Sequence, residues 1–586
     1  MNKQSPEYLN DLRHSTAHLL AAAVMELWPD TKRTIGPSIE NGFYFDFEFS
    51  KPISESDFPA IEAKMKEIAK SWKGFERSEL SPEEARKEYP DNQYKHELID
   101  EFSGEGQTLT FYKSGEYWDL CRGGHVQHPN SELKHFKLLK IAGAYWRGNE
   151  KNPMLTRIYG TAFATKDELE AHLLQLEEAK KRDHRKLGKE LELFFIDDMV
   201  GKGLVMWLPK GTILRDQVEK LAKEKEAAAG YLRVATPHIA KEELFLTSGH
   251  LPYYKDSMYP PMVMDDGTYY LKAMNCPHHH RIFQFRPRSY KELPLRLAEY
   301  GTCYRNELSG TLAGLLRVRG MTMNDAHMYC TKEQIKDEFT GVLKLTMEYF
   351  EIFGLKDYWF RLSKWDPKHT EKYIDEPENW KFSESVLREV LEKLGVKFVE
   401  VDDEAAFYGP KVDVQFKSVI GREETMSTIQ LDFAAKKRFG LHYTDEKGKE
   451  NGDVFVIHRA PLSVHERFMA FLIEHFAGAF PLWLSPVQAV VIPISQDQAA
   501  YAAKVVATLQ ADGIRAENWD EAESMQNKIR KAEGEKIPYM LVVGKREEEG
   551  EQVSVRARGN KNRGVWTVGE FTKELMKKID TRSREV

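Results

Sequence analysis

The spacing of hydrophobic residues changes character three times along the chain. At the start, LNDLRHSTAHLLAAAVMELW repeats its apolar positions at intervals of three and four, as one buried helix face requires. The runs GFYFDFEF and QTLTFYK then read as strands. Together they predict a compact α+β domain over 1–163. Next, Thr165 and Glu168 stand in capping-box spacing, and Leu169, Leu173 and Leu176 form one stripe among charged residues. That predicts a connecting helix over 164–190, ended by Gly188. A large segment of strands, helices and turns, without internal repeat, occupies 191–484. From 485 the pattern becomes VQAVVIPI, AAYAAKVVATLQADG, IRAEN, a helix from Met525 to Glu535, YMLVVG, VSVRARG and a final helix. Strand–helix alternation of this kind predicts a small α/β domain over 485–586.

Composition narrows what these domains do. At 586 residues the chain exceeds what one core supports. Its 41% hydrophobic and 30% charged residues are those of a soluble globular protein. A formal charge of −7 gives no bulk attraction to phosphate, so nucleic acid must be met by local basic patches. Four cysteines, Cys121, Cys276, Cys303 and Cys330, are too few for a disulfide framework. No apolar run approaches the roughly 20 residues of a bilayer span, and MNKQSPEYLNDLRH lacks the apolar stretch of a signal peptide. The expectation is a cytoplasmic multidomain protein with no membrane contact.

Three stretches carry chemistry. In YRNELSGTLAGLLRVRG, Arg305 and Glu307 are two apart, as are Arg317 and Arg319. On strands each pair shares a face, and a hairpin presenting guanidinium forks suits a polyphosphate. In HRAPLSVHERFMAFLIEHF, Glu466 and Arg467 open an apolar helix, whose N-terminus favours anions. The third is the pair HSTAH and DLCRGGH, which offers His14, His18, Cys121 and His125. The two histidines at i, i+4 are neighbours on any helix. Zinc ligation, or a Cys121 nucleophile with histidine bases, are the chemical alternatives.

The Arg-x-Glu hairpin followed by a Glu-Arg helix resembles motifs 2 and 3 of class II aminoacyl-tRNA synthetases. AMNCP, RVRG, NDAH, AFYGPK, IQLDF, IHRAPL and FPLWLSPVQ, in this order, resemble the threonyl-tRNA synthetases. The likeness runs from HSTAH to KIPYML and implies a multidomain α+β and α/β fold. Its parts are an N-terminal α+β editing domain, a catalytic core on an antiparallel sheet, and a C-terminal α/β anticodon-binding domain. The small β-domain that usually precedes the editing domain is expected to be missing. Segment 203–237 resembles motif 1, which in this class builds a homodimer interface.

Carried over residue by residue, the resemblance implies one zinc ion per subunit on Cys276, His327 and His458. Asp325, Tyr408 and Gln430 would contact the amino acid, L-threonine. Arg305 would hold the α-phosphate of ATP and Glu307 would read adenine. Arg317 would meet the outer phosphates, with Mg²⁺, while Arg467 would pack on the purine and Glu466 would complete the nucleotide site. Met321 stands where a phenylalanine usually stacks on adenine, and Met323 where a glutamine usually lies beside threonine. Asn324 replaces a common aspartate, and His278 a common glycine. Ser463, Val464 and His465 precede Glu466 where a glycine and a serine are usual.

For His14, His18, Lys95, Asp119, Cys121 and His125 the resemblance implies a metal-free, water-activating site that removes mischarged serine. Serine lacks only a methyl, worth about 1–3 kcal/mol, too little to exclude by binding alone. Glu547 and Arg556 would read the anticodon of threonine tRNA, and Arg558, Lys561 and Arg563 would meet its backbone. Two other functions fit parts of the sequence. One is a zinc-dependent hydrolase built on the N-terminal cluster; the other is a non-catalytic RNA-binding regulator derived from a synthetase.

Overall fold

The structure, a computed structural model, describes residues 5–369, 371–417 and 423–586. The chain forms two compact units, Met1–Glu177 and Glu178–Val586.

The first unit is organised by the helix Pro6–Leu27. Ser5 accepts the amide of Tyr8, and Pro6 occupies the first turn, where no intrahelical donor is needed. The helix buries Leu12, Leu19, Leu20 and Val24. In the same core lie Phe43, Phe45 and Phe47, and Ile61 and Met65 of the helix Phe58–Ser71. An antiparallel sheet runs in the order Lys32–Arg33, Gly42–Glu48, Met154–Ala162, Phe136–Tyr145. A second sheet, Glu76–Glu79, Thr110–Ser114 and Tyr117–Leu120, is also antiparallel. It carries Asp119 near its end, just before Cys121.

The capping box at Thr165 forms as expected: Thr165 and Glu168 exchange backbone–side-chain bonds of 3.1 and 3.2 Å. The helix it opens, Lys166–Arg182, stops before Gly188. Asp183 leaves helical geometry with ψ 119° and caps a new helix, His184–Glu190, at the amide of Arg185. Gly188 lies inside that helix for a packing reason. A Cβ there would stand 2.3 Å from the ring of Phe194.

In the second unit an eight-stranded sheet is ordered Leu232–Arg233, Leu295–Tyr304, Gly320–Cys330, Phe455–Arg459, Glu423–Asp432, Lys411–Lys417, Tyr358–Ser363, Phe398–Val401. Pairing is antiparallel except at the two edges. Helices Pro209–Ala228, Ile335–Phe353 and His465–Phe476 contribute Leu214, Leu221, Phe339, Phe350, Phe468 and Leu472 to its core. A five-stranded sheet follows: Ala516–Asn518, Ala489–Pro493, Tyr539–Val543, Gln552–Ala557, Lys561–Thr567. Its first three strands are parallel, joined by helices, as the alternating pattern predicts.

One expectation needs correcting. Arg305, Glu307, Arg317 and Arg319 do not lie on strand faces. The two strands stop at Tyr304 and Gly320, and all four residues belong to the connection. A single further rung, Arg305 N–H to the carbonyl of Arg319 at 2.9 Å, closes the base of the loop.

Candidate functional site

The sheet of the second unit builds its site by register. His327 pairs with His458, His458 with Gln430, and Gln430 with Lys411, one row across four strands. Two residues along, and so on the same face, come Asp325 beside His327 and Asp432 beside Gln430. Cys276 is delivered from outside the sheet, at the start of the helix Cys276–Phe283. Its sulfur and the ring nitrogens of His327 and His458 lie within 4.8 Å of one another. The three residues border a cavity of about 330 Å³, together with Arg305, Asp325, Tyr408, Gln430 and Arg467.

Each histidine of this trio has a partner on its other edge. Asp432 meets Nε2 of His458 at 3.0 Å, while its other oxygen accepts the amides of Ala434 and Ala435. Nδ1 of His327 faces Nδ1 of His279 at 2.8 Å, and His279 reaches Glu299 at 3.1 Å. Carboxylate-backed imidazoles are the usual support of metal ligands. Burial pushes the Cys276 thiol well above its ordinary range, with Asp325 and Asp432 adding to the shift, and pushes His327 well below its own. A buried thiol beside two carboxylates and neutral rings is an arrangement that a dication would stabilise. Sequence reasoning missed His279, Glu299 and Asp432. Period two along IQLDF offered a signal for Asp432, but nothing local marked the other two.

The arginines converge on the same cavity. Arg305 donates to the carbonyl of Ala273 at 3.4 Å and Arg467 to that of Leu316 at 3.2 Å, so neither is ion-paired through these nitrogens. Burial lowers the Arg467 guanidinium from its usual value; Glu424 opposes the shift, and Arg305 and Arg317 add to it. An anion would relieve that crowding. Arg317 and Glu307 lie further out and pair with each other at 2.9 Å. Tyr408 donates to Gln430, and Asn275 donates to Asp325 at 3.1 Å.

Several expected site residues are placed elsewhere. Glu466 is buried and accepts the amide of Thr322 at 2.9 Å, fastening its helix to the central strand rather than facing the cavity. Met321 packs with Cys303 and Val318 in a small buried cluster and does not reach the cavity wall. Met323 and Val464 do line it, joined by a β-bridge into one apolar edge. Ser463 has φ 57°, in the left-handed region. A glycine adopts that conformation without strain, so the glycine usual in this motif has a backbone reason.

The first unit assembles the second cluster. His14, His18, Cys121 and His125 present ligand atoms within 4.8 Å of one another. Nε2 of His14 and Nε2 of His125 each lie 3.4 Å from the Cys121 sulfur. The outer nitrogens are anchored, His14 on the carbonyl of Gly124 at 3.2 Å and His125 on the hydroxyl of Ser15 at 3.1 Å. Gly123 and Gly124 have φ 94° and 81°, which makes glycine the natural residue for the turn through CRGGH. Burial raises the Cys121 thiol to about 12 and lowers His125 to about 3. The thiol is therefore protonated and the imidazole neutral near pH 7. Lys95 and Asp119, both buried, are paired at 2.7 Å. Arg33, Tyr89 and Tyr117 also bind Asp119; no motif pointed to them.

In the C-terminal sheet Arg556 lies half-buried on the strand Gln552–Ala557, and Glu547 caps its own helix at the amide of Gly544. Arg558 turns inward, against expectation. Its guanidinium holds the carbonyls of Lys536, Ala479 and Phe480 at 2.7–3.0 Å, so it fastens the sheet to the preceding segment instead of facing phosphate.

Comparison with known proteins agrees with this architecture. Residues 262–476 match the tRNA synthetase class II core domain (G, H, P, S and T). Residues 488–578 match an anticodon binding domain, and 109–159 the threonyl and alanyl tRNA synthetase second additional domain. The chain is 50% identical to threonine–tRNA ligase 1 of Bacillus subtilis over 98% of its own length and 89% of that protein. It is 48% identical to the threonine–tRNA ligase of Thermus thermophilus over 100% of its length and 91% of the relative's. The RNA binding domain of threonyl-tRNA synthetase from Cryptosporidium parvum superposes with a TM-score of 0.65. That match has 35% identity and covers 67% of this chain and 98% of the other. With the class II core, the anticodon binding domain and the second additional domain present in one chain, and relatives of this closeness along nearly its whole length, the protein belongs to the threonyl-tRNA synthetase family.

Proposed function

We propose that the central cavity joins L-threonine to ATP and passes the threonyl group to threonine tRNA, and that the first unit hydrolyses the ester when serine has been attached by error. The ligase assignment follows the family. The observation that carries the residue roles is the row Gln430–His458–His327, bordering one cavity with Cys276, Asp325, Arg305 and Arg467. Amino acid and nucleotide would then meet in one cavity of about 330 Å³.

The residues fit a zinc ion. Cys276, His327 and His458 would hold it through one sulfur and two nitrogens, leaving an open coordination position. Bound there, zinc would supply Lewis-acid ligation for the amino and hydroxyl groups of threonine, which valine, lacking the hydroxyl, cannot match. The chain's own residues do the rest. Asp325, Tyr408 and Gln430 orient the amino acid. Arg305 holds the α-phosphate and Arg467 packs on the purine as a threonine carboxylate oxygen bonds to the α-phosphorus and pyrophosphate leaves; the two guanidiniums, with Mg²⁺ on the triphosphate, neutralise the charge that develops. Both donate to backbone carbonyls, Arg305 to that of Ala273 and Arg467 to that of Leu316. Glu307 and Arg317, paired with each other, would separate to meet adenine and the outer phosphates.

Two further readings complete the picture. Val263, 82% exposed, with Met264 and Ile239 on a separate three-stranded sheet and Leu232 on the edge strand of the main sheet, presents apolar surface. This surface supports a homodimer. No helix among the described residues is long and apolar enough to cross a membrane, and we place the protein in the cytoplasm, with its tRNA.

Threonine-dependent ATP–pyrophosphate exchange tests the central reading. The wild-type protein should show exchange and hold one zinc per chain. Cys276→Ser should lose zinc and exchange together. Full zinc in that variant, or exchange that ignores threonine, would defeat the assignment.

A further inference from the structure

The buried pair Lys95–Asp119 is held by a third charge that lies outside every motif. Arg33, at the end of the strand Lys32–Arg33, has a side chain only 12% exposed. Its Nε reaches Oδ1 of Asp119 at 3.3 Å, the oxygen that Lys95 meets at 2.7 Å. Its Nη2 donates to the carbonyl of Trp118 at 3.0 Å. The rings of Tyr89, Tyr117 and Trp118 surround the guanidinium, with centroids at 5.2, 5.3 and 4.8 Å. Asp119 also receives the hydroxyls of Tyr89 and Tyr117 at 2.6 and 3.0 Å and the amide of Leu120 at 3.0 Å.

Two features of this arrangement exceed what a simple ion pair needs. First, the carboxylate that fixes Lys95 is gripped from several elements, so the ammonium stands in one place beside the His14–Cys121–His125 group. Second, charge does not cancel. Two cations share one carboxylate, while the thiol and the imidazoles of the cluster are neutral, and a buried unbalanced cation is costly unless it serves an anion.

We infer that Arg33 is a positioning residue of the hydrolytic site: by sharing Asp119 it fixes Lys95 and leaves one net positive charge for the oxyanion formed during ester hydrolysis. The inference rests on the proposed editing function of this unit. In that reaction water adds its oxygen to the seryl carbonyl carbon. The ester C–O bond then breaks, and a water proton ends on the ribose oxygen, giving serine and free tRNA. Negative charge resides briefly on the carbonyl oxygen, and a fixed, desolvated cation lowers that barrier. Arg33 touches neither ester nor water; it acts through Asp119 and Lys95.

A cavity of about 240 Å³ lined by Arg33, Trp72, Tyr117 and Trp118 gives the guanidinium position a space of its own. That permits a test which a purely structural role would not satisfy. In the full-length protein, deacylation of seryl-tRNA bearing the threonine anticodon is measured for wild type, Arg33→Ala, Arg33→Lys and Lys95→Ala. Arg33→Ala should lose about 10–100-fold in kcat, the scale of a misplaced catalytic group, with KM within about twofold. Arg33→Lys should be intermediate. Added guanidinium should restore Arg33→Ala, while sodium at equal ionic strength should not. Limited proteolysis of residues 1–177 within the full chain reports that the first unit of each variant is folded. Wild-type deacylation in Arg33→Ala overturns the inference. So does a loss that neither guanidinium nor the lysine repairs, which makes Arg33 a packing residue. Normal deacylation by Lys95→Ala also overturns the inference and leaves the editing reading standing; if wild type does not deacylate, the editing reading itself falls and takes this inference with it.

Discussion

At the scale of single residues, the prominent fact is how many histidines are buried and neutral. His14, His18 and His125 in the first unit, and His250, His278, His280 and His465 in the second, all have pKa values depressed chiefly by burial. Those of His125, His280 and His465 fall to about 3, and those of His250 and His278 to about 4. An unfolded histidine titrates near 6.5. Between these values the unfolded chain binds protons that the folded chain refuses, so stability falls as pH falls. The contribution is complete above about 6.5 and is lost progressively on the way down to about 3 to 4. Urea midpoints of the metal-free protein should therefore drop between pH 7.5 and pH 5. Midpoints that stay level over that range would mean that the rings are not neutral in the fold.

At the scale of elements, the helix Pro209–Ala228 is tied to the sheet by a charge with no water around it. Glu226, fully buried, accepts Arg459 at 2.9 Å and Asn324 at 2.8 Å on one oxygen, and Arg233 at 3.0 Å on the other. Arg459 is equally buried and lies over the ring of Tyr231. Glu226→Leu should cost about 3–5 kcal/mol, because it strands a buried guanidinium. The double change Glu226→Leu with Arg459→Met should recover much of that loss. A single variant as stable as wild type would remove the ion pair from the account. The same element shows what sequence could and could not convey. Asn324 is visible as a departure from the family pattern, yet only the fold shows that Glu226, some hundred positions earlier, is its partner. Periodic signals behaved differently. The capping box at Thr165 and the strand–helix alternation after 485 are local, and the structure forms both. Spacing of two predicts a strand for the arginine pairs, but the wide loop between Tyr304 and Gly320 claims them. Arg558 could not be told from a phosphate-binding arginine, since its carbonyl partners come from segments remote in sequence. The zinc trio likewise depends on register across strands, which spacing along the chain does not encode. It was legible only through the family resemblance.

At the scale of the whole molecule, the chain is two compact units, each with a group of histidines around a cysteine. The two groups differ in ways that assign them different chemistry. Around Cys276 the histidines are backed by carboxylates, Asp432 directly and Glu299 through His279. Around Cys121 they are backed by neutral oxygens, the Gly124 carbonyl and the Ser15 hydroxyl. The Gly124 carbonyl can only accept, so His14 carries its proton on Nδ1 and turns a lone pair toward the sulfur. That leaves Nε2 of His14 as an unprotonated ring nitrogen, a basic position that can accept from the thiol or from a water molecule. A metal in the same place would chelate threonine as well as serine, removing the discrimination that hydrolysis of errors requires. We therefore expect the fragment 1–177 to fold alone and to deacylate seryl-tRNA while sparing threonyl-tRNA, at the same rate in strong chelator. Cys121→Ala or His14→Ala in the full chain should let seryl-tRNA accumulate. Deacylation that stops in chelator and returns with zinc would make the N-terminal group a metal centre, with its thiol deprotonated by the ion rather than held as the neutral neighbour of two imidazoles.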